Sequence, residues 1–173
     1  KQSFVVRGLR RVLQPGRFLR FLKRKKIFGL TYVSKEDLKY MRRVRREKFG
    51  NKDIAAMEKE IDGFSFKPKI SVLMPVYNVE GQWLERAIES VLAQVYSVWE
   101  FCIADDASPS PHIKEVLKKY EEKDKRFKIK YLEENQGISG ASNEAMELVT
   151  GQYVALLDHD DEFSRDALFE VVK

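Results

Sequence analysis

Four acids stand within five positions in the run Val154–Ala155–Leu156–Leu157–Asp158–His159–Asp160–Asp161–Glu162, directly behind an apolar stretch. Carboxylates paired at the end of a buried strand are costly unless a cation or a hydroxyl-rich ligand meets them. A second pair, Asp105–Asp106, closes the apolar run Trp99–Ala104, and Pro75–Val76–Tyr77–Asn78 closes a third run that opens at Ile70. In open α/β sheets ligands gather outside the C-terminal ends of the strands. Three such ends carrying acids, an aromatic and a proline point to cation-assisted handling of a phosphate compound.

Other phosphate and cation motifs are absent. No G-x-x-x-x-G-K-[ST] occurs, and no G-x-G-x-x-G follows the first strand. As a calcium loop the acidic run fails at its sixth position, Phe163, and at its twelfth, Phe169, where glycine and glutamate are needed. A phosphoacceptor domain of the receiver type would use Asp105–Asp106 but would leave the second acidic cluster without a task.

The elements that must position these residues alternate. Ile70–Val76 reads as a short buried strand, and Leu84, Ile88, Val91 and Leu92 mark one face of a helix. Trp99–Ala104 is a second strand, followed by a helix carrying Ile113, Val116, Leu117 and Tyr120. Phe127–Leu132 is a third strand. The loop Asn135–Gln136–Gly137–Ile138–Ser139–Gly140 opens a helix near Ser139 that runs to Leu148. Tyr153–Leu157 reads as a fourth buried strand and Asp166–Val172 as a last helix. This order predicts a mainly parallel sheet with helices on both faces.

Charge divides the chain at Lys67–Pro68. Residues 1–66 hold 19 Lys/Arg against 7 Asp/Glu and residues 67–173 hold 13 against 20, nets of +12 and −7 within an overall +5. We therefore expect a basic helical extension over 1–66 and the α/β unit over 67–173. Residues 1–30 carry ten basic residues and no acid, in two amphipathic patches parted by Pro15–Gly16. Further helices are expected from Ser34 and over Lys52–Ile61. Three readings of the arm stay open: packing against the rest of the protein, docking on an anionic membrane surface, and nucleic-acid binding. The last is disfavoured because no helix-turn-helix, zinc or RNP pattern accompanies the charge. Cys102 is the single cysteine, which excludes an internal disulfide and predicts a buried, inert thiol. No run reaches the roughly 20 apolar residues of a membrane span. Arginines break every apolar run of the basic start, so the expected location is cytoplasmic, with a peripheral site on the inner membrane face as a refinement.

Five segments in order carry a family resemblance: Ser71–Asn78, Ala87–Gln94, Trp99–Ser108, Asn135–Asn143 and Leu156–Asp161. Together they resemble the nucleotide-binding half of a family 2 glycosyltransferase of the GT-A fold, a Rossmann-like α/β architecture. They are most similar to bacterial enzymes that build cell-surface polysaccharides such as O-antigen. The resemblance implies a nucleotide-sugar donor, a glycan or lipid-linked acceptor, Mg²⁺ or Mn²⁺, and inversion at the transferred sugar. It places Pro75, Val76 and Tyr77 at the base and ribose, with Asp106 accepting from the base imide and Asp105 structural or near the ribose. Asp158 would face the ribose and Asp160 the metal on the diphosphate, the two forming a D-x-D pair. Gly137 and Asn143 would lie near the diphosphate or donor sugar.

Plainer roles compete at several positions. Asp106 could form an Asx-turn or cap a helix, Tyr77 could pack in the core, Asn143 could sit on a helix surface, and Asp158–Asp160 could be a solvated turn. His159 points away from the two aspartates if the segment stays extended. The resemblance also implies a continuation past Lys173 that carries the acceptor site and general base, so no catalytic residue is assigned here and an unpaired sheet edge is expected. The residues by themselves also allow a non-catalytic nucleotide- or partner-binding module with a basic arm.

Overall fold

In the computed structural model, residues 50–173 are described; the helices expected in 1–30 and from Ser34 lie outside them. Helix α1 (Asn51–Asp62) opens with the Gly50 N–H bonded to the Asp53 carboxylate at 2.8 Å. The compact unit carrying the sheet begins at Met57 and runs to Lys173. It starts ahead of the charge boundary because Ile61 and Phe64 are apolar and join the core.

Four strands form one parallel sheet in the order β3-β2-β1-β4, with β1 Ile70–Val76, β2 Trp99–Asp105, β3 Phe127–Tyr131 and β4 Tyr153–Leu156. Helices α2 (Gly81–Leu92), α3 (Pro111–Glu121), α4 (Gly137–Met146) and α5 (Ala167–Val172) connect and follow the strands. Ile70, Val72, Met74 and Val76 alternate to one face of β1 and pack with Leu84, Ile88 and Val91 of α2, Ile113 and Leu117 of α3, and Leu168 and Phe169 of α5. Leu73 points to the other face, where Ala104 meets Ala141 and Ala145 of α4. The small alanines let α4 lie close to the sheet. Helices thus cover both faces, as the alternating pattern predicts.

β1 and β2 run as near-continuous apolar stretches because both faces are covered. Within β2 sits one carboxylate, Glu100, 1% exposed. It accepts from Ser71 Oγ (2.7 Å), the Thr150 N–H (2.6 Å) and Thr150 Oγ1 (2.7 Å), and pairs with Lys69 (2.6 Å) and Lys128 (3.0 Å). Burial alone would raise its pKa, but these donors outweigh burial and hold it well below the usual carboxylate range. The cluster ties the N-terminal ends of β1, β2 and β3 to the loop entering β4. Gly151 in that loop touches β1 so closely that a Cβ would lie 2.6 Å from the Lys69 carbonyl oxygen. Cys102 is buried, and burial pushes its thiol up to about 11, in line with an inert role.

One expectation fails. The fourth strand is not buried: Tyr153 is 56% and Leu156 64% exposed. β4 pairs on one side only, with β1, and nothing among the described residues covers its outer edge. Its apolar residues resemble those of the central strands in kind, so composition could not separate edge from centre.

Candidate functional site

β1 and β4 part at a defined point. Leu157 N–H still donates to the Leu73 carbonyl (3.0 Å), but the paired register ends at Leu73↔Leu156, whereas β1 and β2 stay paired to Val76↔Asp105. Backbone groups of Lys69 and Leu73 face β4 and those of Val76 face β2, so Pro75 faces β4. Proline has no N–H to give, and the ladder stops there. The opening left beyond the strand ends is a cavity of about 440 Å³, within the range of small-ligand pockets.

Pro75 and Val76 at the end of β1, Tyr77 just past it, Asp106 just past β2, Gly137 at the start of α4, and Asp158 and Asp160 behind β4 all line this cavity. Asp105 and Asn143 do not. Asp105 ends β2 and accepts the Ser108 N–H at 3.2 Å, inside the turn that follows. It pairs in register with Tyr131, whose phenol burial, then Glu121 and Asp105, push up to about 12, so that tyrosine is no acid at neutral pH. Asn143 is exposed on α4, away from the cavity. The helix starts at Gly137, not near Ser139. At 100° per residue, Gly137 and Ala141 share a face while Asn143 falls about 120° away. Ile138, Ala141 and Asn135 therefore line the cavity instead.

Asp106 is 2% exposed and anchored on all sides. Its N–H donates to the Val76 carbonyl (2.8 Å), its carbonyl accepts from Asn135 Nδ2 (3.3 Å), and its Oδ1 accepts the Gln136 N–H (2.7 Å). Oδ2 remains for a donor in the cavity. The next residue, Ala107, sits at φ 54°, and Asn78 across the cleft at φ 43°, both in the left-handed region. Asn78 is held there by Ser108 Oγ, which accepts its N–H at 3.0 Å, and by Ser110 Oγ, which donates to its Oδ1 at 2.6 Å. The strained turns fix the β1 and β2 ends against each other.

His159 overturns a second expectation: it lines the cavity with its aspartate neighbours. The segment does not stay extended, because Asp161 N–H closes a turn onto the Asp158 carbonyl at 3.0 Å. The imidazole Nδ1 lies 3.2 Å from the Pro75 carbonyl oxygen. A carbonyl only accepts, so this contact is a hydrogen bond in the tautomer that carries the proton on Nδ1.

Among the described residues no three His, Cys, Asp or Glu side chains converge as a closed metal cage. Asp158 and Asp160, both exposed at the cavity rim, are instead the kind of set that holds a hard cation through one or two carboxylates, the rest coming from ligand phosphates and water. The donor set fits such an ion only together with a phosphate ligand.

A parallel sheet of this order, with its cleft at the strand ends and two acidic segments flanking it, is a ligand-binding α/β domain of the GT-A-like kind. A model of the family described as Glycosyl transferase family 2 matches residues 71–173. The chain belongs to glycosyl transferase family 2.

Several of the proteins it is similar to carry glycosyltransferase names. It is 41% identical over 104 residues to the putative teichuronic acid biosynthesis glycosyltransferase TuaG of Bacillus subtilis, covering 60% of this chain and 40% of that protein. It is 38% identical over 92 residues to the Escherichia coli UDP-Glc:alpha-D-GlcNAc-diphosphoundecaprenol beta-1,3-glucosyltransferase WfgD, covering 53% and 35%. Among solved structures it is similar to Staphylococcus aureus TarS in complex with UDP-GlcNAc, with a TM-score of 0.54 and 28% identity over 60% of this chain and 30% of that one. The chain thus spans well under half the length of each.

Proposed function

We propose that the domain holds the nucleotide-sugar donor of a glycosyltransferase that extends a glycan or lipid-linked acceptor in bacterial surface polysaccharide synthesis. The observation that carries this reading is the convergence of Pro75–Tyr77, Asp106 and Asp158–Asp160 on one cavity from three separate strand ends. Pro75, Val76 and Tyr77 border the base and ribose. Asp106, already fixed by Gln136, presents its second carboxylate oxygen to the base imide N–H. Asp158 accepts from the ribose hydroxyls. Gly137, at φ 74°, lets the backbone turn into α4 where the diphosphate comes closest.

Asp160, with Asp158, would hold Mg²⁺ or Mn²⁺ together with the diphosphate oxygens. Such an ion offsets the charge that grows on the departing nucleoside diphosphate. The likeness to TarS and WfgD supports a uridine nucleotide, and the activity in WfgD's name supports a lipid-linked acceptor. The family resemblance supports inversion. A cytoplasmic setting at the inner membrane face, with residues 1–30 on anionic lipid, belongs to the same proposal; no helix among the described residues is long and apolar enough to cross a membrane.

Calorimetry with UDP, dTDP and GDP, with and without Mn²⁺, tests the reading. We expect metal-dependent binding of one nucleotide, weakened roughly tenfold or more in Asp160→Ala. No metal-dependent binding by any of the three would sink it and leave the non-catalytic module.

A further inference from the structure

We infer that His159 is a positioning residue: its imidazole latches the Asp158–Asp161 turn to the end of β1, taking over a sheet hydrogen bond that the backbone can no longer make. The latch serves the cation and diphosphate reading above and rests on it for its function, though not for its existence.

The ladder shows what is replaced. Gln152 N–H reaches the Lys69 carbonyl at 2.9 Å and Leu157 N–H reaches the Leu73 carbonyl at 3.0 Å, so carbonyls just before β1 and within it are served from the chain entering and leaving β4. Two residues on, the Pro75 carbonyl would take the His159 N–H if the strand continued in the parallel pattern. It does not continue, because Pro75 offers no N–H in return and the chain turns at Asp158. A backbone carbonyl at a strand end needs a donor. The side chain of His159 supplies it at 3.2 Å, from the same residue whose backbone has left the ladder.

This substitution has a consequence for the acids. In an extended strand Asp158 and Asp160 would share one face and His159 the other. In the turn all three line the cavity. The latch lets the chain leave the sheet without letting the turn drift from it, and so sets the distance of both carboxylates from Pro75–Tyr77. The residue needed between them is one with a donor on a short stem at the Nδ1 position, which makes asparagine the nearest replacement and glutamine a poor one.

The test compares His159→Asn, His159→Gln and His159→Ala in the full chain. Two quantities are read: affinity for UDP and GDP with Mn²⁺ by calorimetry, and amide hydrogen exchange at residues 158–161. For a net hydrogen bond of ordinary strength we expect the alanine and glutamine variants to bind roughly 3- to 10-fold more weakly and to exchange faster by a similar factor, with asparagine close to wild type. Nitrogen-detected NMR of the imidazole should show the proton on Nδ1. An alanine variant equal to wild type in exchange, an asparagine variant as weak as alanine, or a proton on Nε2 overturns the latch. If wild-type protein binds neither of these nor dTDP, the donor-site reading fails, and the exchange comparison still decides the latch.

Discussion

Replacing Glu100 by glutamine isolates the cost of one buried charge. The carboxylate is 1% exposed and receives Ser71 Oγ, the Thr150 N–H and Oγ1, Lys69 and Lys128. Glutamine keeps the shape but removes the charge and turns an NH₂ toward groups that are themselves donors. Breaking one side of a buried ion pair costs about 3–5 kcal/mol. Lys69 and Lys128 are 40% and 33% exposed along their side chains and can turn to water, which lowers that figure. We expect about 2–3 kcal/mol, or a fall in Tm of about 4–12 °C for a chain of this size. The pH dependence has a definite sign. The folded carboxyl is held below the usual range, so its stabilisation is fully present above the unfolded value of about 4.3 and is lost as pH falls below it. The gap in Tm between wild type and Glu100→Gln should therefore be full at neutral pH and shrink on acidification below about pH 5. Calorimetric melts from neutral to acid read both effects. A variant melting within about 1 °C of wild type at neutral pH would refute the claim that the cluster holds the strand entrances together.

Two backbone predictions accompany it. Gly151→Ala puts a Cβ 2.6 Å from both the Lys69 carbonyl oxygen and Ser71 Oγ and 2.9 Å from the Ser71 N, so the loop must move. A loss of about 1–3 kcal/mol in urea denaturation is expected, and an unchanged midpoint would show that the loop gives way freely. Ala107→Gly relieves a left-handed residue at φ 54° and should raise stability by about 0.5–1 kcal/mol, net of the added freedom of the unfolded chain. A lower melting temperature would mean that the alanine methyl makes a contact worth more than the strain.

Most of the sheet was legible because its central strands are buried on both faces and so appear as short apolar runs between turn residues. Ile70–Val76 matches β1 residue for residue, and Trp99–Ala104 misses only Asp105. The acids at the strand ends were legible for a related reason: a carboxylate beside an apolar run stands out. What composition could not give was sidedness. β4 reads as a buried strand, yet its residues are exposed, because it ends the sheet with the unpaired edge that was expected. Asn143 keeps helical spacing from Ser139, but the face of the helix turned to the cavity is that of Gly137 and Ala141, and Asn143 lies off it. His159 was misplaced because its partner, the Pro75 carbonyl, lies 84 residues away. Glu100 gave no sign of its role, since its main partners come from three distant segments, around Lys69–Ser71, Lys128 and Thr150.

The polarity of the sheet has an effect on how such a domain can vary. Glu100 and its lysines occupy the strand entrances, while Asp106 lies six residues on, just past the end of β2, roughly 20 Å away at the rise of a strand. Substitutions at the two ends share no partners, and effects at sites that far apart add with little interference. Ligand preference can therefore drift at one rim while robustness is maintained at the other. A lineage can try new donors on a scaffold whose tolerance for error is set elsewhere.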